Sequence, residues 1–281
     1  NLADLSSEGP ALLNGSISTT GYQAYNGTVT LGGETTLDSA GNVSFGNTVD
    51  GAEQLNVQSG GAVSFFAALG GTTPLQGLNL ASAAAVTALG TVAIDGTGGT
   101  GAGLRIGAGV NNVNIAQPGS TITNASLSGL LLAGNSTGSS LGGFTITNSG
   151  SHGIEAAGGD YTGSTVANST VTASAGDGLH AANVTGLTAS TIRSAANSKA
   201  GIRVAGTSAN VTISDSLVGL AANGTAAQPN LGQGIVVSAA TSTTLQGNTI
   251  SGNTFYGIVV TGAAGSTTIT GNRIGLGSGG T

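Results

Sequence analysis

The chain has 281 residues, of which 52 are glycine, while charged residues make up 6% and aromatic residues 3%. It contains no Cys, Met or Trp, and acidic residues outnumber basic ones by 11 to 5. These features argue against nucleic-acid binding, which needs a basic stripe or stacking aromatics, and against a membrane span, which needs roughly 18 apolar residues in a row. Regularly spaced Val, Ile and Leu and a mean hydropathy of +0.26 argue against a disordered chain.

The first regions in chain order are a short edge and a repeat. Periodic signals are weak in residues 1–16, where we expect an irregular N-terminal edge or a partial coil. Region 17–101 contains a repeat, because NVSFGNTVDGAEQL and AVSFFAALGGTTPL align at a shift of 20 residues. The aligned pairs are Val43 with Val63, Phe45 with Phe65, Val49 with Leu69, Gly51 with Gly71, and Leu55 with Leu75. A period of this size is typical of a solenoid.

Region 102–281 repeats a glycine followed by an aliphatic residue. The glycines of these pairs are Gly103, Gly129, Gly153, Gly178, Gly201, Gly234 and Gly257. The segments between them are rich in Ile, Val and Thr, and they are too short and too broken by glycine to form helices. Stacked coils would pair each short strand with its counterpart one coil away, about 4.8 Å along the axis, in a parallel ladder.

Both regions therefore predict an all-β fold, a parallel β-helix (β-solenoid) of roughly twelve coils that runs continuously through the two repeat styles. Because side chains alternate along a strand, Ile154 and Ala156 should point inward and Glu155 outward. The same reasoning makes Ile202 and Val204 a buried pair on a later coil.

One coil, which ends at Gly234, is longer than the others. Its length predicts an inserted loop near 219–233, lying on the surface around Pro229 and Asn230. The segment SLVGLAANGT within this coil recurs as NRIGLGSGGT at the last residues of the sequence. We therefore expect the 281 residues to be a fragment of a longer protein.

Alignment of the glycine pairs also places polar residues in columns along the predicted rod. The column after the aliphatic residue points outward and contains Arg105, Leu131, Glu155, His180, Arg203, Val236 and Val259. The column before the glycine contains Ser128, His152, Asp177, Ala200, Gln233 and Tyr256. Both histidines of the chain fall among three charged residues in what we call the polar patch: His152, Glu155, Asp177, His180 and Arg203.

The polar patch has two interpretations. One is a site competent to bind sugar or metal, or to perform acid–base chemistry. The other is a ladder of alternating charges on a solvated face, which avoids stacking like charges and contributes little energy. We keep the patch as a candidate surface site, and we assign no catalytic residue, no metal and no cofactor.

Two further ladders recur in the sequence. Thr-x-Thr triplets at 121–123, 145–147 and 170–172, followed by 191–193, predict a flat threonine array that resembles ice-binding β-solenoids. The other interpretation is that threonine suits the outward positions of a strand. Asn248 and Asn272 occupy equivalent positions, where stacked amides would hydrogen-bond from coil to coil.

The amino-acid sequences of the repeats resemble those of known families. GSISTTGYQAYNGTVTLGGETTLDSAGNVSFGNTVDGAEQLNVQSGG is similar to repeats of large filamentous-haemagglutinin-like exoproteins of bacteria. The later region, with VGLAANGTAAQPNLGQGI, resembles the right-handed parallel β-helix repeats of long bacterial surface proteins. These resemblances imply a right-handed β-helix in a secreted, extracellular cell-surface or fibre protein, where it forms a structural shaft or adhesive segment without catalysis.

The partners implied by such a shaft are neighbouring repeats or a second copy, joined end to end or laterally, and cell-surface glycans or receptors. The alternative function is a polysaccharide-binding or polysaccharide-degrading β-helix of the lyase or glycosidase type, and an ice-binding β-solenoid is a further one. Resemblance to pectate lyases or polygalacturonases would imply several close Asp residues. Here the acids are scattered along the chain, so the sequence predicts no such set and no enzyme.

Overall fold

A computed structural model describes residues 2–262 and 265–275. This part of the chain contains only strands, turns and irregular segments, and no α-helix. The strands are β1 (Leu5–Ser7), β2 (Ala11–Thr19), β3 (Gln23–Tyr25), β4 (Val29–Ser39), β5 (Val43–Phe45), β6 (Val49–Asp50), β7 (Gln54–Ser59), β8 (Ala62–Phe65), β9 (Gly77–Ser82), β10 (Ala85–Ala88), β11 (Ala93–Asp95), β12 (Leu104–Ile106), β13 (Val113–Ile115), β14 (Ser120–Thr123), β15 (Leu130–Leu132), β16 (Ser140–Gly142), β17 (Phe144–Thr147), β18 (Ile154–Asp160), β19 (Thr165–Thr172), β20 (Leu179–Thr185), β21 (Thr188–Ala195), β22 (Ile202–Ala205), β23 (Thr212–Ser214), β24 (Leu217–Val218), β25 (Ile235–Ser238), β26 (Thr244–Gln246), β27 (Thr249–Ile250), β28 (Ile258–Thr261), β29 (Thr268–Thr270) and β30 (Arg273–Ile274).

The strands form two sheets that wind around one core. In the first sheet, eleven successive strands (β2, β4, β7, β9, β12, β15, β18, β20, β22, β25 and β28) pair in chain order, and β6 pairs with β4. The second sheet contains 18 strands, and the pairings between named strands are parallel. The predicted all-β parallel β-helix is confirmed, with about eleven turns along the first sheet.

Stacked aliphatic side chains fill the interior as the sequence predicted. Ile154 lies opposite Leu179, which lies opposite Ile202, and all three are almost completely buried. Each side chain of this size removed from water contributes about 2 kcal/mol of hydrophobic stabilisation. Pairing continues without a break where the repeat style changes, since β9 pairs with β12 through Leu78 and Leu104.

The N-terminal coils have an aromatic interior. The rings of Tyr25 and Phe45 stack with centroids 5.3 Å apart, and those of Phe45 and Phe65 with centroids 5.0 Å apart. The predicted alignment of Phe45 with Phe65 is therefore confirmed. The predicted alignment of Leu55 with Leu75 is wrong, because Leu55 pairs with Leu78.

The error has a local cause. Between β8 and β9 the chain makes a bent turn that contains Gly70 at φ 68°, and Leu75 bridges to Ile94 there. The turn adds three residues to the 20-residue period, so Gln54 to Val57 pair with residues 23 positions farther along the chain, and Gln58 pairs one position farther still at a bulge. The first 16 residues, for which we expected an irregular edge or partial coil, contribute β1 and part of β2.

The long coil differs from the predicted surface loop. Pro229 is exposed, but Asn230 is fully buried, with its Nδ2 2.9 Å from Oδ1 of Asn253 and its Oδ1 2.8 Å from Nδ2 of Asn197. A buried amide must be hydrogen-bonded, and stacking on the amides of adjacent coils satisfies it. The loop therefore returns to the interior at Asn230. Residues 276–281, which hold most of the predicted second copy of this segment, lie outside the described residues.

The threonine and asparagine ladders are largely as predicted. Thr121 lies opposite Thr145, which lies opposite Thr170. The next coil is shifted, because Val171 pairs with Ser194 where the sequence predicted Ile192. Thr191, at φ 54°, turns the chain just before that point. The stacked pair Asn248 and Asn272 is confirmed, with an amide hydrogen bond of 2.9 Å.

Candidate functional site

The polar patch lies on the outward face of the first sheet, where three successive strands begin. Glu155 lies opposite His180, and His180 lies opposite Arg203, in the register that the sequence predicted. His152 and Asp177 lie on the turns that lead into these strands. The structure therefore brings all five predicted residues together.

A glycine lets the turn approach the next coil. A side chain on Gly178 would overlap Oγ of Ser194 and would lie 2.7 Å from the carbonyl oxygen of Gly201. Without a Cβ, the backbone can pass this close to the interior. The carboxylate of the preceding residue, Asp177, is thereby held under the surface with 1% of its area exposed.

Asp177 is the centre of the patch. Its Oδ1 accepts a hydrogen bond of 2.9 Å from the backbone N–H of Ala200, and its Oδ2 accepts one of 3.0 Å from Nε of Arg203. Nδ1 of His180 also lies 3.0 Å from Oδ2, but without the direction of a good hydrogen bond. Burial would raise the pKa of Asp177, but the contact with His180 and the charge of Arg203 outweigh it, so the pKa is lowered. The buried carboxylate is therefore ionised.

His152 has a different role from His180. Its Nδ1 accepts a 3.0 Å hydrogen bond from the backbone N–H of Asp177, so that nitrogen carries no proton. Burial, followed by the neighbouring His180, lowers the pKa of His152, and the acidic neighbours oppose this only in part. The two imidazole rings meet edge to face with centroids 4.2 Å apart. His152 is therefore a neutral imidazole with its proton on Nε2.

His180 is the more exposed of the two imidazoles in the patch. With Nδ1 turned toward Asp177, the carboxylate favours the tautomer that carries the proton on Nδ1, which leaves the lone pair on Nε2. Its side chain is 22% exposed, so the ring reaches the surface. Beside it, Glu155 accepts a hydrogen bond from Oγ of Ser128.

The solvated ladder that we considered as the other interpretation differs from this arrangement. A ladder of solvated charges would leave each side chain in water, whereas Asp177 is buried and contacts three side chains: His152, His180 and Arg203. Lys199, which is exposed, lies close enough to lower the pKa of His152 further. The patch, with Lys199 beside it, therefore combines two imidazoles that contact a buried carboxylate with two cations.

His152, Asp177 and His180 also have the residue types of a metal centre, with candidate ligand atoms within 4.8 Å of one another. Two atoms of these residues already have hydrogen-bond partners. Nδ1 of His152 accepts a hydrogen bond from a backbone N–H, and Oδ2 of Asp177 accepts one from the guanidinium of Arg203. A divalent cation would have to displace that guanidinium, so the geometry fits a hydrogen-bonded acid–base cluster better than a metal site.

Sequence reasoning missed polar residues farther along the same face. Nη1 of Arg105 donates a 3.0 Å hydrogen bond to Oδ1 of Asn79, whose Nδ2 donates to Oδ1 of Asn56 at 3.1 Å. The predicted column ended at Arg105, because the error at Leu75 hid the pairing of Asn56 with Asn79. Counting the inserted turn between β8 and β9 separately would have found it.

Several solved structures are similar in fold. A mutant of the periplasmic alginate epimerase AlgG has 10% identity, a TM-score of 0.48, and coverage of 94% of this chain and 77% of its own. The A-module of the Azotobacter vinelandii mannuronan C-5 epimerase AlgE4 has 12% identity, a TM-score of 0.44, and coverage of 96% and 68%. The Dettilon tailspike protein has 14% identity, a TM-score of 0.42, and coverage of 89% and 61%. No curated protein sequence matches the chain.

These comparisons correct one prediction. The similar structures include two enzymes that are named as polysaccharide epimerases, so the structural shaft or adhesive segment no longer stands as the main function. The haemagglutinin-like context of the repeats stays a prediction. No helix in residues 2–262 and 265–275 has the length and apolar character needed to cross a membrane.

The family comparison covers the polar patch and most of the chain. The sequence model described as "Right handed beta helix region" matches residues 76–274, well over half of the 281 residues. Its match agrees with the stacked parallel strands and confirms the predicted handedness of the repeat. The chain belongs to the family of right-handed β-helix regions.

Proposed function

We propose that this β-helix binds a carboxylate-bearing polysaccharide at the polar patch, in a periplasmic or extracellular setting. The observation that carries the proposal is the buried carboxylate of Asp177, which holds His180 and Arg203 side by side at the surface. Burying an ionised carboxylate is costly unless it is paired. The fold does not require it, since the equivalent turns carry uncharged residues such as Ser128, Ala200 and Gln233.

The charge distribution supports an acidic ligand. The chain carries a net charge of −6, yet Arg105 and Arg203, two of its five Lys and Arg residues, share this outward column, and a third, Lys199, lies close to His152. A guanidinium presents several N–H groups in a fork that matches a carboxylate. Nε of Arg203 is used by Asp177, and the remaining N–H groups of its guanidinium can donate to the carboxylate of a uronic acid.

A second candidate function, proton transfer, is favoured by the contact between His180 and Asp177. The hydrogen on C5 of a uronate is acidic because it is adjacent to the carboxylate, and Arg203 would stabilise the charge that develops when the hydrogen leaves. The proton would pass to Nε2 of His180. The electron pair left on C5 would either form the C4=C5 double bond as the C4–O bond breaks, with the leaving oxygen taking a proton from His180 or water, which gives an unsaturated sugar, or take up a proton from water on the opposite face, which gives the C5 epimer.

The experiment is a binding panel with alginate, polygalacturonate and neutral dextran, measured by calorimetry on the whole chain. We expect the two polyuronates to bind and dextran not to bind. Arg203→Lys keeps the charge but loses the fork, and Lys199→Gln removes an exposed cation, so each should weaken binding, the former by about tenfold. Thr147→Ala, on the second sheet, is the matched control and should bind as the parent chain does.

Equal binding of dextran and polyuronates, or unchanged binding by both variants, would overturn the proposal. Catalysis is tested separately by the ultraviolet absorbance of an unsaturated product and by proton exchange at C5 in deuterated water. His180→Ala should abolish either signal while reducing binding less than Arg203→Lys does. Tight polyuronate binding without turnover or exchange would leave binding as the function and remove the catalytic candidate.

A further inference from the structure

A second polar groove lies on the same face, on the N-terminal side of the polar patch. It has a volume of about 270 Å³ and is lined by side-chain amides, a carboxylate and a guanidinium. Its charged and amide side chains are Glu34, Gln54, Asn56, Gln76, Asn79 and Arg105. We call it the amide groove.

Hydrogen bonds fix the direction of the groups in the amide groove. Nη1 of Arg105 donates to Asn79, Nδ2 of Asn79 donates to Asn56, and Nδ2 of Asn56 donates 3.1 Å to Oε1 of Glu34. This chain runs from a cation to an anion through two amides, so each amide is polarised in the same sense. The amides are therefore oriented before a ligand arrives, which lowers the entropic cost of binding one.

The guanidinium retains capacity for a ligand. In the part of the chain that the structure describes, Arg105 makes one hydrogen bond, from Nη1 to Asn79. Its Nε and Nη2 are left to donate to a carboxylate, while Gln54 and Gln76 on neighbouring coils present amides suited to sugar hydroxyls.

The register places this groove in line with the polar patch. Arg105 lies opposite Leu131, Leu131 opposite Glu155, and Glu155 opposite His180. Three strand spacings, about 14 Å, therefore separate Arg105 from His180, and a fourth reaches Arg203. The strand spacing is close to the length of one hexopyranose unit, and Leu131 offers an apolar surface to a sugar ring between the two sites.

We infer that the amide groove is a second subsite for the same acidic polysaccharide, in which Arg105 binds the carboxylate of a uronic acid some four sugar units from the one on Arg203. The inference rests on the proposed function and adds the direction in which the ligand binds. The chain of sugars lies along the axis of the β-helix and crosses the strands. Oligomers that are too short to reach from Arg203 to Arg105 occupy one subsite only.

The test is calorimetry with mannuronate and galacturonate oligomers of increasing length, from trimer to hexamer, on the parent chain and on Arg105→Gln. Affinity should rise with length for the parent chain. In the variant, trimers should bind the polar patch unchanged within about twofold, because a charge about 19 Å away is screened at physiological salt. Hexamers should bind about tenfold more weakly, since one charged hydrogen-bond pair is lost.

Gln58→Ala is the matched control, because Gln58 is exposed on the same strand as Asn56 but lies outside the groove. Gln54→Ala provides a second variant within the groove and should also weaken hexamer binding. Unchanged hexamer binding in both groove variants overturns this inference and leaves the proposed function standing. Equal weakening of trimers and hexamers by Arg105→Gln also overturns it. Absence of binding by any oligomer overturns both proposals.

Discussion

Two groups of ring side chains on adjacent coils of this molecule differ in geometry and in what they contribute. In the N-terminal coils, Tyr25, Phe45 and Phe65 lie in one inward column with their rings stacked almost parallel. In the later coils, His152 and His180 lie on the outward side and meet edge to face above the carboxylate of Asp177. The first stack repeats an aromatic ring from coil to coil, whereas the second brings imidazole rings and a carboxylate together.

The difference shows which stacks serve the fold. Like residues stacked in the core add buried area and ring contacts at every coil, so each contributes to stability. An ionised carboxylate under the surface is stabilising only while its hydrogen-bond and ion-pair partners are present. The stability of the coil therefore depends on those partners. We therefore expect the aromatic stack to govern stability alone, and the Asp177 cluster to govern both stability and ligand binding.

The largest expected effect is on the aromatic stack. Phe45→Ala should lower the free energy of unfolding by about 4 kcal/mol, because it removes a ring that packs between two others and leaves a cavity. Denaturant unfolding measures the change. Phe66→Ala is the control, since that neighbouring ring is 56% exposed and should cost little. Equal losses for the two variants, or a loss of glycan binding in Phe45→Ala, would contradict a purely stabilising role for the aromatic stack.

Asp177→Ala should have the next largest effect, about 3 kcal/mol, because Arg203 and the backbone N–H of Ala200 lose their partner below the surface. Unlike Phe45→Ala, it should also abolish polyuronate binding. Asp38→Ala is the control, since this exposed acid on β4 should change stability by less than about 0.5 kcal/mol. Normal polyuronate binding by a folded Asp177→Ala chain would contradict a role for the carboxylate in the site.

Gly153→Ala should lower stability by about 2 kcal/mol, because a methyl group there would overlap the side chain of Val171 and lie 2.8 Å from the carbonyl oxygen of Gly178. The turn would move outward, which should also displace His152 and weaken ligand binding. At Gly9 no atom lies within 4 Å of such a methyl group, so Gly9→Ala should leave both properties unchanged. Thermal unfolding and calorimetry of the pair provide the comparison, and similar melting temperatures would argue against close packing at the turn.

The smallest expected effect is a pH dependence from His152. Its pKa in the folded chain is lowered by burial and by His180, so between that value and about 6.5 the unfolded chain binds more protons. Stability should therefore fall as the pH drops below about 6.5, and His152→Asn, which retains an acceptor near the position of Nδ1, should remove that slope. Asp177 contributes in a lower range, where stability is lost as the pH falls through its lowered pKa. An unchanged slope between pH 7 and 5 in His152→Asn would contradict a neutral, buried imidazole.

The sequence predicted the fold and which five residues form the polar patch. It could do so because the repeat period determines which residues lie opposite one another on adjacent coils. Once the glycine pairs are aligned, Glu155, His180 and Arg203 must lie one strand spacing apart. It could not predict that Asp177 turns under the surface, because this depends on how closely Gly178 approaches the next coil. An alignment of repeats into columns gives the position of a side chain along the axis, but it does not determine how deeply that side chain is buried.

The remaining errors arise where the period changes. Three extra residues in the turn before β9 change the partner of Leu55 from the predicted Leu75 to Leu78, and this shift hid the amide groove from the sequence alignment. A similar shift put Ser194 where Ile192 was predicted, and the long coil returns Asn230 to the interior. In each case local turn geometry overrides the average repeat.

The most direct test of a carboxylate-centred sugar site is a crystal structure of the chain with a uronate hexamer bound. We expect a hexamer lying along the first sheet, with one sugar carboxylate on the guanidinium of Arg203 and C5 of that sugar within reach of Nε2 of His180. A hexamer bound instead on the threonine face of the second sheet, with the polar patch unoccupied, would contradict it.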